Sequence, residues 1–113
     1  MPHLVIEYSE DALDRGRVTQ LMERLFATAW QTGVMKSEDV KVRARGYDDF
    51  LVAGKRDSFV HLSVYVLAGR TPEQKVNLST QLRRTMIEQC PDVTSLSVDI
   101  RDMDPVAYKK RLK

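Results

Sequence analysis

Cysteine is nearly absent from this chain of 113 residues, with Cys90 the only one. One thiol allows neither an internal disulfide nor a cysteine metal cluster, and a reducing cytoplasm is the expected setting. No apolar run approaches the roughly 20 residues that a membrane span needs. The segment after Met1–Tyr8 is charged, so no secretory leader is expected. The five glycines form no phosphate-cradling loop, since Gly69 stands alone before its helix. Aromatic residues make up only 7% and do not interleave with basic ones, which argues against a nucleic-acid surface. His3 and His61 have no third ligand at a recognisable spacing, so no metal site is expected. Ser9, Ser63 and Ser97 lack the strand–turn–helix context of an activated serine.

What is present is the composition of a globular domain, 42% apolar and 30% charged, which argues against disorder. A chain of this length fits one domain spanning 1–113 and buries roughly two-thirds of its unfolded surface. The net charge is +2, but Lys109, Lys110, Arg111 and Lys113 place four cations in the last five residues. The remainder is therefore net acidic, and a solvated basic terminus is the expectation for the tail.

Hydrophobic spacing predicts strand, helix, strand, repeated twice. The first strand is His3 to Tyr8. Val18, Leu21, Met22, Leu25, Phe26 and Ala29 then recur three and four apart, the period of an amphipathic helix. Gly16 is expected to mark an irregular start and Gly33 to end the helix as its C′ residue. A strand from Val40 to Tyr47 follows, then a hairpin-like excursion, Asp48 to Ser58. Phe59 to Leu67 is the strongest strand signal. Thr71-Pro72-Glu73-Gln74 reads as a capping box with proline at the first helical position. Leu78, Leu82, Met86 and Cys90 form the stripe of that second helix, with Ile87 beside it. Leu96 to Arg101 is the last strand, and Asp104-Pro105 opens a short C-terminal segment.

The halves also match residue by residue. His3-Leu4 corresponds to His61-Leu62, 58 positions on, and Val42 and Arg45 correspond to Val98 and Arg101, 56 positions on. The order of elements predicts tandem β-α-β units, each helix carrying the chain to a parallel strand. One face of the strands is aliphatic: Leu4-Ile6-Tyr8, Val40-Val42-Ala44, Leu62-Val64-Val66 and Leu96-Val98-Ile100. Two helices on that face give a two-layer α+β domain with a four-stranded mixed sheet. The other face is polar but includes Val5 and Tyr65. It reads equally as a solvent-facing sheet or as a wet subunit interface.

The chemistry-bearing candidates begin at Pro2. Removal of Met1, normal before a small residue, would leave a secondary amine at the end of a buried strand. An apolar pocket and nearby cations both disfavour the protonated form of such an amine. Pro2 shares strand parity with Leu4 and Ile6. Arg43 and Arg45 share one strand face, and Arg70 stands in the Ala68-Gly69-Arg70 turn before a helix start. A guanidinium binds a carboxylate through two parallel hydrogen bonds, and a helix N-terminus adds oriented N–H groups. Surface salt bridging is the plainer reading of each arginine. Structural hydrogen bonding is the plainer reading of both histidines.

Several short motifs fall in a telling order: Met1-Pro2-His3, Thr32-Gly33, Val42-Arg43-Ala44-Arg45, Phe59-Val60-His61-Leu62 and Ala68-Gly69-Arg70. Together they resemble the 5-carboxymethyl-2-hydroxymuconate isomerase family of the tautomerase superfamily. The resemblance spans almost the whole chain. It implies a homotrimer and a cofactor-free isomerase acting on a small unsaturated 2-hydroxy dicarboxylate, in catabolism of aromatic compounds. It implies Pro2 as general base and Arg43 and Arg70 as carboxylate-binding and charge-stabilising groups. Arg45 and, more loosely, Tyr108 match as substrate-binding residues. Two other activities fit the same scaffold: hydration or dehalogenation of a small unsaturated acid through Pro2, or ligand binding by a non-catalytic trimer.

Overall fold

The structure, a computed structural model, describes residues 1–113. Its elements are β1 (His3–Ser9), α1 (Arg15–Gln31), a 3-10 turn (Ser37–Asp39), β2 (Lys41–Tyr47), β3 (Phe59–Leu67), α2 (Pro72–Gln89) and β4 (Ser95–Met103). The strands form one sheet in the order β2-β1-β3-β4. β1 runs parallel to β2, and β3 runs parallel to β4, as helical crossovers require. The two units meet where β1 and β3 pair antiparallel. Val5 lies opposite Ser63, its counterpart in the sequence repeat, so an approximate twofold axis passes between them. The matched pairings His3↔Lys41 and His61↔Ser97 show the same symmetry, with the two-residue slip the sequence requires.

Alternation decides which face is buried. Leu4, Ile6, Tyr8, Val60, Leu62, Val64 and Val66 are almost wholly inaccessible and lie under the helices. Helix α1 contributes Val18, Leu21, Leu25 and Ala29, and α2 contributes Leu78, Leu82 and Met86. Where the helices meet, the hydroxyls of Thr28 and Thr85 lie 2.6 Å apart and satisfy each other. Cys90 is buried at the end of the α2 stripe, but Ile87, placed beside that stripe by its spacing, is exposed.

Helix boundaries follow local chemistry. Asp14 caps α1 by accepting from the Arg17 amide at 2.8 Å, so the helix starts ahead of Gly16, not at an irregular turn around it. Arg17 then ties this end to the turn that follows α2. It donates to both Asp92 carboxylate oxygens, at 3.0 and 2.7 Å, and to the Ala12 carbonyl at 3.2 Å. Gly33 takes positive φ (82°) directly after the Thr32 C-cap, the left-handed geometry glycine allows cheaply. The α2 capping box forms as its sequence requires. In the Asp48–Ser58 excursion, Ala53 and Gly54 both have positive φ and turn the chain between Val52 and Lys55. Strand β4 continues past Arg101 to Met103, whose carbonyl accepts from the Ala68 amide at 3.0 Å.

Candidate active site

Pro2 stands just ahead of β1 with its ring fully buried. Its carbonyl accepts from the Lys41 amide at 3.0 Å, extending the β1–β2 ladder by one step and fixing the residue. With Met1 present, the Pro2 nitrogen is an amide and the chain amine lies one residue further out. Even there, burial holds the amine below its ordinary value. Asp39 opposes this effect, and Lys110, Arg70 and Lys41 reinforce it. One carboxylate and three cations therefore surround the terminus.

Arg70 is held by its own backbone surroundings. Its guanidinium donates to the Leu67 carbonyl at 3.0 Å and to the Val34 carbonyl at 3.2 Å. These bonds join the turn before α2 to the loop after α1, and they leave part of the five-donor fork for another acceptor. The neighbouring helix start is a poorer anion site than its sequence predicts. Pro72 has no N–H, and the Gln74 amide already donates to Thr71 Oγ1 at 3.1 Å.

Arg43 and Arg45 project from β2 on the polar face, at register positions opposite Val5 and Glu7. With Tyr47 they line a recess of about 420 Å³ over β1 and β2. The Tyr47 hydroxyl donates to the Glu7 carboxylate, a bond that raises the phenol above its ordinary value. Arg43 turns toward the chain terminus, where its Nη1 lies 3.1 Å from His3 Nδ1. On the far side of that imidazole, Nε2 lies 2.9 Å from the Tyr108 hydroxyl.

The five candidates thus fall into two groups joined at the start of β1. Pro2 and Arg70 share the helix-side group with Asp39 and Lys110, while Arg43, Arg45 and Tyr108 belong to the polar face. None of the main recesses in the isolated chain is lined by Pro2. The four basic residues of the tail are exposed, as expected of them, but two side chains of this segment fold back. Tyr108 reaches back to His3, and Lys110 Nζ lies 3.4 Å from Asp39 Oδ1. The charge run concealed Lys110, because neighbouring lysines give no pattern that singles one out. Asp39 ends a 3-10 turn with no sequence signal of its own.

A family model described as 5-carboxymethyl-2-hydroxymuconate isomerase matches residues 2–111. The chain belongs to this family. It is accordingly an enzyme of the isomerase class, with a tautomerase fold. A 5-carboxymethyl-2-hydroxymuconate isomerase from Deinococcus radiodurans R1 superposes with a TM-score of 0.85 at 22% identity, covering 99% of this chain and 90% of its own. Pt0534, solved after inactivation by 2-oxo-3-pentynoate, gives a TM-score of 0.87 at 22% identity, covering 96% and 91%. A fused 4-OT, solved as a wild-type symmetric trimer, gives 0.81 at 19% identity, covering 91% and 88%. No curated protein matches the chain by sequence.

Proposed function

We propose that this isomerase moves a proton along a small, unsaturated 2-hydroxy dicarboxylate of the 5-carboxymethyl-2-hydroxymuconate type, with the Pro2 amine as general base. The observation that carries the reading is the fully buried Pro2 ring at a terminus where burial, with Lys110, Arg70 and Lys41, outweighs the opposing Asp39. Removal of Met1 converts the Pro2 amide to a secondary amine at that position. Burial and cations favour its neutral form. The nitrogen lone pair takes a proton from the substrate, and the electrons of the broken bond spread into a dienolate. Arg43 or Arg70 stabilises the charge gathering on oxygen while the other pairs with a carboxylate. The protonated Pro2 returns the proton at another carbon. Arg45 and Tyr108 complete substrate binding in this scheme, and the reaction requires no other group.

The division of the candidates between two sheet faces supports a site completed by neighbouring subunits. We place three copies around a common axis with polar sheet faces inward, so that one copy's Arg43 face meets another's Pro2 edge. Half-buried Val5 and Tyr65 suit such a wet interface. The symmetric trimer of the fused 4-OT supports a threefold assembly. The cytoplasm is the proposed compartment, where the unpaired Cys90 thiol would persist, and the proposed role is in catabolism of aromatic acids.

The test combines intact-mass spectrometry with an ultraviolet assay on 2-hydroxymuconate-type dienols. Protein lacking Met1 should convert the dienol to its conjugated ketone and sediment at threefold the 13.0 kDa chain mass. Conversion only of halogenated or hydratable acids would replace the isomerase proposal with activation of water.

A further inference from the structure

Two groups in the proposed scheme, Arg43 and Tyr108, depend on one side chain outside the candidate set. His3 Nδ1 faces Arg43 Nη1 at 3.1 Å, and His3 Nε2 faces Tyr108 Oη at 2.9 Å. A guanidinium has donors and no acceptor, so Nδ1 must accept. The ring proton therefore sits on Nε2, which donates to the Tyr108 oxygen. Tyr108 keeps its own O–H free to donate elsewhere. The two rings brace each other edge to face, with centroids 5.9 Å apart at 75°. His61, the repeat's counterpart of His3, provides the contrast. Its Nδ1 meets the Ser97 hydroxyl at 2.6 Å, and a hydroxyl can give or take a proton, so no tautomer is dictated.

We infer that His3 is a positioning residue, neutral and protonated on Nε2, which accepts from Arg43 and aims the Tyr108 hydroxyl as a donor toward substrate oxygen. This deepens the proposed proton-transfer site and rests on that reading for the identity of the substrate. The groups around His3 are Arg43 and Lys41 on β2, Tyr65 opposite it on β3, Tyr108 on the C-terminal segment and the chain amine. None of them is a carboxylate. Burial first, then Arg43, Lys41 and the amine, hold the imidazole below its ordinary value, so it is neutral at pH 7. Protonation at Nδ1 would set N–H against N–H and release Arg43.

The experiment uses the full chain with Met1 removed, and 2-hydroxymuconate as substrate. His3→Ala and Tyr108→Phe should each lower kcat/KM about 3- to 10-fold, the worth of one neutral hydrogen bond. The double variant should be no worse than the poorer single one. His3→Gln keeps an amide donor near the Nε2 position but cannot titrate. It should retain the effect of Tyr108→Phe and change the acid limb of kcat/KM from two protons to one. Nitrogen-15 NMR of the imidazole should show the Nε2–H tautomer at pH 7, with the Nε2 resonance shifting in Tyr108→Phe. Additive kinetic effects, or an Nδ1–H tautomer, would overturn the inference. If the parent fails to turn over 2-hydroxymuconate, the proposed substrate falls and the NMR result alone decides for or against His3. A Pro2→Ala variant run in parallel tests the base separately, since it leaves the His3–Tyr108 contact in place.

Discussion

Adding one residue between Met1 and Pro2, of a size that blocks initiator removal, changes a single functional group. The Pro2 nitrogen stays an amide and loses its basicity, while every side chain of the protein remains. Its ring stays buried and its carbonyl keeps the Lys41 bond at 3.0 Å, so the fold should be unaffected. A positioned general base contributes about 10²–10⁴-fold. At about 1.36 kcal/mol per tenfold change in rate, the barrier should rise by roughly 3–5.5 kcal/mol. Pro2→Ala is a less clean companion. It keeps a primary amine in the same surroundings, but removes two buried methylenes' worth of ring, at about 0.8 kcal/mol each. The assay is the ultraviolet decay of a 2-hydroxymuconate-type dienol, with kcat and KM measured at several pH values and intact mass recorded on the same sample. The extended protein should melt at the parental temperature and lose at least a hundredfold in kcat. Full turnover by a sample whose mass shows the extension intact would refute the amine as the base.

Arg70→Lys should raise KM about 10- to 100-fold with a smaller change in kcat, because a lysine cannot hold the Leu67 and Val34 carbonyls and also present a planar fork. Steady-state kinetics checks this. The Asp92 carboxyl is held below its ordinary value chiefly by the hydrogen bond from Arg17. That contribution to stability is present above about pH 4 and lost as pH falls through the depressed value. Denaturant midpoints between pH 5 and pH 2 should show this acid slope in the parent and a shallower one in Asp92→Asn. Leu82→Ala, at a fully buried position, should cost about 2–5 kcal/mol in a urea or thermal melt.

The strands were legible because their alternation is strict. Phe59–Leu67 reads to its true ends, and the Thr71–Gln74 box marks the start of α2 without tertiary information. The start of α1 was obscured by Gly16. Gly16 is the second residue of α1, in the first turn, where the Asp14 cap and the Arg17 tether to Asp92 fix the chain. The end of β4 depends on pairing with Ala68, which no local pattern around Asp102 and Met103 reveals. The same division applies at the candidate site. Pro2, Arg43 and Arg70 stand out by residue type and neighbourhood. The His3–Tyr108 contact joins positions 105 apart in sequence, and the Lys110–Asp39 pair emerges only when the tail folds back.

The internal repeat bears on why the proposed chemistry belongs to one half of the molecule. The twofold relation that maps Arg45 onto Arg101 also maps Arg43 onto Asp99. In the second unit the arginine is therefore answered on its own strand, with Arg101 Nε 2.9 Å from Asp99 Oδ2. In the first unit the equivalent positions are two arginines with no acid between them. Arg101 is exposed and Asp99 half-exposed, and a solvent-accessible pair of that kind contributes about 0–1 kcal/mol to stability. Its larger effect is on local charge, because it cancels at β4 the positive field that β2 retains. The two units differ in the same sense: Pro2 stands just ahead of β1, whereas its counterpart, Val60, lies inside β3 and carries no amine. A dianionic substrate would thus meet two arginines, only one of them opposite a carboxylate (Glu7, across from Arg45), and, with Met1 lost as proposed, an amine at one end of the sheet only. Asp99→Asn should leave stability within about 1 kcal/mol and weaken that contrast, raising affinity for small dicarboxylates at β4 as measured by calorimetry. An unchanged affinity there would mean that more distant charges, not the Asp99–Arg101 pair, set the field.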